Sequence, residues 1–284
     1  MNQISLVECP RDAMQGWKKL IPTKNKINYI NSLLKVGFHT IDFGSFVSPK
    51  AIPQMADTRE VYEGLELEGT KSELLAIIAN VRGAEDAAAY EMIRYLGFPF
   101  SISPTFQQRN TNSSLEESLD RIKAIQEICH RSGKILVVYL SMGFGNPYGD
   151  DYNEEILLQW SEQMVQNNVS IISLADTVGI ATPAQISFAL QTLIPKFPDT
   201  VFGVHLHSSP LNFESKLHAA IQSGCKRIDG ALKGIGGCPM AQDELVGNMN
   251  TELIISYLEN KERLSGLNKE ALEKSLVLAS ELFV

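Results

Sequence analysis

His205-Leu206-His207 is the triplet in this sequence with the clearest chemical potential. On an extended strand residues i and i+2 project to the same side, so both imidazoles can reach one ion. Asp12 can add an anionic oxygen to that pair and Asn248 a neutral carbonyl. A mixed nitrogen and oxygen set suits a divalent cation with open water positions, Mg²⁺ or Mn²⁺, better than a structural zinc. The same histidines could instead be half-buried and bonded only to neighbours. Acids and amides near adjoining strand ends favour the metal. Arg11 either closes a salt bridge with Asp12 or supplies fixed positive charge to an oxygen that becomes anionic during reaction. Asp42 and Asp176 are either structural acids or carboxylates that orient water and relay protons. Cys238 follows Gly234, Gly236 and Gly237, a stretch whose backbone can approach a ligand closely. A lone cysteine is usually inert packing, but a thiol on such a loop could close over a substrate and move a proton. Cys9, Cys129 and Cys225 are expected in the core or on the surface. His39, His130 and His218 are expected to be structural.

These groups need elements to hold them. Short apolar or β-branched runs recur at Ile4–Cys9, Thr40–Phe46, Leu74–Asn80, Phe98–Ser103, Ile135–Ser141, Ile171–Asp176, Val201–His207 and Arg227–Leu232. Most lack apolar/polar alternation, which suits strands buried on both faces of a parallel sheet. Helical patterns lie between them. Lys24–Val36 stops at Gly37, and Ser114–Ser132 opens with a capping-box pattern at Ser114 and Glu117. Asn153–Gln166 and Thr182–Ile194 behave similarly, the latter with Pro183 suited to a first turn. Eight strands with intervening helices predict an α/β (β/α)₈ TIM barrel over about 4–250, with extra C-terminal helices over about 251–284. One catalytic domain then spans 1–284. A doubly wound open sheet is the runner-up, weakened by the lack of a glycine-rich phosphate loop after the first strand. In a barrel the groups above gather at the C-terminal mouth: Arg11-Asp12, Asp42, Asn80, Asp176-Thr177, the two histidines and the loop beyond strand eight.

Composition narrows the class. The 25 Lys and Arg against 33 Asp and Glu leave a formal charge of -8, with no basic cluster for a nucleic-acid partner. No apolar run is long enough to span a membrane. Strand-like sequence from Ile4 leaves no room for a targeting peptide. Four scattered cysteines suit a reducing compartment. A soluble cytoplasmic enzyme is the expectation.

The motifs in order resemble those of the 3-hydroxy-3-methylglutaryl-CoA lyases, metal-dependent carbon–carbon lyases on a TIM barrel, over roughly Ser5 to Leu258. Pro10 to Gln15 (Pro-Arg-Asp-x-x-Gln) and Ser45 to Met55 (Ser-Phe-Val-Ser-Pro-Lys-x-x-Pro-Gln-Met) look like the family's first two loops. Asp176 to Pro183, His-x-His and Gly234 to Ala241 complete the set. The resemblance implies Mg²⁺ or Mn²⁺ held by Asp12, His205, His207 and Asn248. It implies that Arg11 stabilises an enolate and that Cys238 takes part in proton transfer. Gln15, Lys18, Asn80 and Asp176 match positions around the site, and Thr177 joins Gln15, Lys18 and Asn80 as a substrate-binding residue. The implied reaction is retro-Claisen cleavage of an acyl-CoA thioester to acetyl-CoA and acetoacetate, with a homodimer as the assembly.

The sequence departs from the family pattern in four places. Asp42 stands where Glu is usual, Ser208 where Asp follows His-x-His, and Ala13 where Gly is usual. The stretch from Cys238 to Asn248 is one residue longer. Two other functions fit the same residues: a synthase condensing acetyl-CoA with a 2-oxo acid, and a catalytically altered acyl-CoA-binding paralogue.

Overall fold

The computed structural model describes residues 3–237 and 247–284. Strands β1 (Ser5–Glu8), β2 (Thr40–Ser45), β3 (Glu73–Ile77), β4 (Ile93–Ser101), β5 (Ile135–Ser141), β6 (Ile171–Asp176), β7 (Val201–Leu206) and β8 (Arg227–Gly230) form a closed parallel barrel in chain order. Closure comes from β1 against β8, with Ser5 opposite Arg227 and Glu8 opposite Gly230. The strands are buried almost throughout, β2 at every position, because helices cover the outer face and side chains fill the interior. The TIM barrel read from strand spacing is therefore the fold.

The helices begin where capping chemistry allows. Helix α6 (Leu115–Ser132) carries the capping box of Ser114 and Glu117 and ends at Gly133, whose φ of 68° suits glycine. Helix α8 (Pro183–Lys196) has a second box, Thr182 with Gln185, and proline in its first turn. Helices α2 (Thr23–Leu34), α7 (Glu154–Gln166) and α9 (Phe213–Gln222) turn Ile30 and Leu33, Leu157 and Met164, and Leu217 and Ala220 inward. Each fully buried Leu or Ile stabilises the fold by about 1.5–3 kcal/mol.

Beyond the barrel, α10 (Thr251–Asn260) and α11 (Lys269–Leu282) follow as expected. Helix α11 lies on α2, where Ser275 Oγ donates to Ser32 Oγ at 2.9 Å. Phe283 meets the rings of Trp17 and Tyr29 edge-on. Among the described residues, no helix is long and apolar enough to cross a membrane.

Some local outcomes differ from the sequence pattern, among them β3, which ends at Ile77 and leaves Asn80 outside the strand. Strand β4 starts at Ile93, five residues before Phe98, since Arg94 and Gly97 hide a run that nonetheless pairs with β3 and β5. The chain turns sharply at Pro10 into helix α1 (Pro10–Gln15), so Arg11 and Asp12 sit on a helical turn rather than on a strand end.

Candidate active site

Above the barrel's C-terminal mouth lies a cavity of about 640 Å³. Its wall includes Arg11, Asp12, Gln15 and Asp42 from one side, and Asn80, Thr177, His205 and His207 from the others. Eight of the residues singled out by sequence thus line one space, although they come from five different βα connections.

Arg11 organises the β1–β2 side. Its Nε donates to Asp42 Oδ1 and Oδ2 at 3.2 and 3.0 Å, and its Nη2 donates to Oδ2 at 2.5 Å. Its Nη1 donates to Asp12 Oδ1 at 3.0 Å and to Gln15 Oε1 at 2.8 Å, while Gln15 Nε2 donates to the same Asp12 oxygen at 2.7 Å. The i, i+4 spacing of Arg11 and Gln15 on α1 brings them together. These bonds engage four of the five guanidinium hydrogens, which leaves one on Nη2 for a ligand. Burial works against the Arg11 cation, but the charges of Asp42 and Asp12 more than offset it and hold its proton tightly. Burial also pushes the Asp42 carboxyl up to about 6 against the opposing pull of Arg11. Asp12 is driven up by the same burial, yet Arg11, His205 and the Asn248 hydrogen bond bring it below its ordinary value.

Asp12, His205 and His207 offer one ligand atom each within 4.8 Å of one another. Burial, then the neighbouring His205, pushes His207 down to about 4, so its imidazole is neutral at neutral pH, as a metal ligand must be. His205 loses charge to burial, but its hydrogen bond to Asp229 and the charges of Asp229 and Asp12 raise it overall. Asn248 pairs in an antiparallel bridge with His207, fixed by Ser208 N to Gly247 O at 3.0 Å and Met249 N to Leu206 O at 3.2 Å. Its Nδ2 donates to Asp12 Oδ2 at 2.7 Å and to Ile235 O at 3.0 Å. Both amide hydrogens are therefore spent, and the carbonyl Oδ1 is the atom left to ligate. The extra residue before Asn248 does not displace it from His207. This donor set of two imidazoles, a carboxylate and an amide oxygen fits a divalent ion.

Several expected residues sit differently. Asp176 is almost fully buried behind the wall. Its Oδ2 accepts from Lys216 Nζ at 2.7 Å and its Oδ1 from Ala181 N at 3.0 Å. Thr177 Oγ1 accepts from Met142 N at 2.8 Å. Asn80 caps helix α4 (Val81–Ala88), its Oδ1 accepting from Gly83 N at 2.9 Å. Lys18 stands exposed beyond α1 and is not among the wall residues. Cys238 lies outside the described residues.

Sequence patterns missed two buried groups. Lys216 Nζ spends its three donors on Asp176 Oδ2, Gly179 O at 2.9 Å and His207 O at 2.8 Å, tying the ends of β6 and β7 to α9. Asp229 Oδ2 lies 3.2 Å from His205 Nδ1. Arg109 and Arg121, from α5 (Pro104–Thr111) and α6, add positive charge to the cavity wall.

The HMGL-like family model matches residues 4–277. A hydroxymethylglutaryl-CoA lyase of Bacillus subtilis (strain 168) is 34% identical over 263 residues, which cover 93% of this chain and 87% of that protein. The mitochondrial hydroxymethylglutaryl-CoA lyase of Mus musculus is 30% identical over 273 residues, 95% of this chain and 83% of its own length. Among solved structures, the HMG-CoA lyase of Bacillus subtilis superposes with a TM-score of 0.91 at 32% identity, covering 99% of this chain and 94% of that one. The HMG-CoA lyase of Acinetobacter baumannii, in complex with coenzyme A and 3-methylmalate, gives 0.91 at 28% identity over 99% and 91%. With the family matched along nearly its whole length, the chain belongs to the HMGL-like family and is a carbon–carbon lyase.

Proposed function

We propose that the protein cleaves 3-hydroxy-3-methylglutaryl-CoA, or a closely related 3-hydroxyacyl-CoA, to acetyl-CoA and acetoacetate with Mg²⁺ or Mn²⁺ as cofactor. The observation that carries this is the convergence of Asp12, His205 and His207 on one point of a cavity wall that also holds Arg11. Asp12, His205, His207 and the Asn248 carbonyl would hold the ion. When bound, it supplies Lewis-acid polarisation of substrate oxygens.

The chain's own groups do the rest. Arg11 is locked against Asp42 and Asp12, so its free Nη2 hydrogen is pre-aimed at the thioester oxygen and stabilises the enolate there without reorganising. Asp42, at about 6, is largely ionised at neutral pH and accepts the proton of the 3-hydroxyl. The C2–C3 bond then breaks, its electrons passing to C2 of the acetyl-CoA enolate while C3 becomes the ketone of acetoacetate. Cys238 returns a proton to C2. Gln15, Asn80 and Thr177 contact the substrate from the wall. Lys18 serves only if its exposed chain folds over the mouth. Asp176 is a positioning group, held by Lys216 behind His207.

The coenzyme A complex of the Acinetobacter relative supports an acyl-CoA substrate. Arg109 and Arg121 supply local positive charge that draws an anionic thioester against a net charge of -8. Cys9, Cys129 and Cys225 are free and buried, in keeping with a reducing cytoplasm. The homodimer rests on family resemblance, and light scattering checks it. The deciding experiment offers the metal-loaded enzyme two substrate sets. Acetoacetate from 3-hydroxy-3-methylglutaryl-CoA supports the lyase. Thiol release from acetyl-CoA with a 2-oxo acid, and no cleavage, would assign a synthase instead.

A further inference from the structure

Strand register builds a second polar layer beneath the candidate metal ligands. Tyr139 on β5 pairs with Ser173 on β6, Ser173 with Gly203 on β7, and Gly203 with Arg227 on β8. One step nearer the mouth, Ala175, His205 and Asp229 align in the same way. Gly203 makes room for the large neighbour, since a Cβ there would lie 3.0 Å from both Arg227 Cβ and Arg227 O. Arg227 and Asp229 are both almost fully buried, with Arg227 Nε 3.9 Å from Asp229 Oδ1. Asp229 Oδ2 lies 3.2 Å from His205 Nδ1, and its Oδ1 has no hydrogen-bond partner among the described residues. A carboxylate can only accept, so the hydrogen of a neutral His205 belongs on Nδ1. The lone pair then belongs to Nε2.

We propose that Asp229 is a positioning residue. It holds His205 in the Nδ1–H tautomer with Nε2 presented to the Asp12 and His207 cluster, and Arg227 keeps Asp229 in place. The inference rests on His205 being a metal ligand. A carboxylate behind a ligating imidazole fixes ring orientation and raises ligand basicity, and its loss typically weakens metal binding 10–100-fold.

The test is long-range ¹H–¹⁵N correlation on histidine-labelled, metal-free protein at alkaline pH, with His205 assigned through His205→Gln. Wild type is expected to show a protonated Nδ1 and a bare Nε2. Asp229→Asn keeps an acceptor oxygen and is expected to retain that tautomer and most of the Mn²⁺ affinity. Arg227→Met with Asp229→Leu removes acceptor and cation together, so no buried charge is left unpaired. It is expected to shift the hydrogen toward Nε2 and to raise the Mn²⁺ Kd about 10–100-fold by electron paramagnetic resonance. A wild-type hydrogen on Nε2 overturns the proposal, as does a folded double variant with unchanged tautomer and affinity. If the double variant does not fold, the wild-type and Asp229→Asn spectra decide. Wild type that binds no Mn²⁺ sinks the ligand assignment, while its tautomer still decides the positioning.

Discussion

Arg11 grips Asp42 through Nε and Nη2, with the shortest contact at 2.5 Å, and the same guanidinium reaches Asp12 through Nη1. One planar cation therefore ties a candidate metal ligand to a candidate base. The fork geometry matters as much as the charge.

From that relationship, Arg11→Met is expected to lower kcat for carbon–carbon cleavage of the thioester substrate by about 10²–10³-fold, the usual cost of one oxyanion donor. Arg11→Lys should recover little, since a point charge cannot hold both carboxylates and still offer a hydrogen to the substrate. Steady-state kinetics with coupled detection of acetyl-CoA checks this. A near wild-type lysine variant would show that charge alone suffices.

Gly236 is expected to be indispensable for Asn248. It has φ of +110°, and a Cβ there would fall 2.5 Å from Asn248 Nδ2 and 3.1 Å from Asp12 O. Gly236→Ala should push the amide off Asp12 and weaken Mn²⁺ binding. Gly69→Ala is the control, with φ of +76° and nothing within 4 Å of its Cβ. It carries the backbone strain of about 1 kcal/mol or more but should leave metal affinity intact. Calorimetric titration of Mn²⁺ into both variants distinguishes a local displacement from general strain.

Much of this site was legible in residue types, and the remainder was hidden for physical reasons. Strands β5 and β6 fall where their apolar runs lie, and the capping box at Ser114 and Glu117 marks a helix start to the residue. The His-x-His spacing delivered two side chains to one cavity because a strand has period two. The helical turn that carries Arg11 and Asp12 has no signature in the sequence, because nothing in a six-residue helix is periodic enough to detect. Asp229 and Lys216 were invisible for another reason. Their partners lie across the β7–β8 register and under α9, relations that only the closed barrel creates.

Glu8 gives the fold a pH dependence. It is fully buried on β1, accepting from Leu232 N at 2.9 Å and Thr251 Oγ1 at 2.6 Å, and burial pushes it from the ordinary 4.5 up to about 8. Between those values the folded chain holds a proton that the unfolded chain has released. Stability from this group is therefore intact below about 4.5, falls as pH rises and levels off above about 8. Glu8→Gln should be more stable than wild type at pH near 8, by an amount on the order of a few kcal/mol, with the gap closing near pH 5. Urea unfolding at the two pH values measures it, and a pH-independent difference would contradict the assignment.

Lys216 and Asp176 form a buried pair, each about 1% exposed at the side chain. Lys216→Met should cost about 3–5 kcal/mol by leaving Asp176 uncompensated. Adding Asp176→Leu should restore part of that loss, because removing both charges also removes the desolvation cost. The double-mutant cycle in urea quantifies the coupling. Equal destabilisation of single and double variants would argue that Lys216 acts by packing alone.

The proposed lyase activity depends on an ion held by Asp12, His205, His207 and Asn248. The most direct measurement is acetoacetate formation from 3-hydroxy-3-methylglutaryl-CoA by chelator-stripped enzyme titrated with Mn²⁺, beside His207→Ala. Wild type should be inactive when stripped and regain turnover saturably on adding Mn²⁺, and His207→Ala should fail to recover at the same concentrations. Full activity in the stripped enzyme, or equal recovery by His207→Ala, would show that turnover needs no ion held by His207.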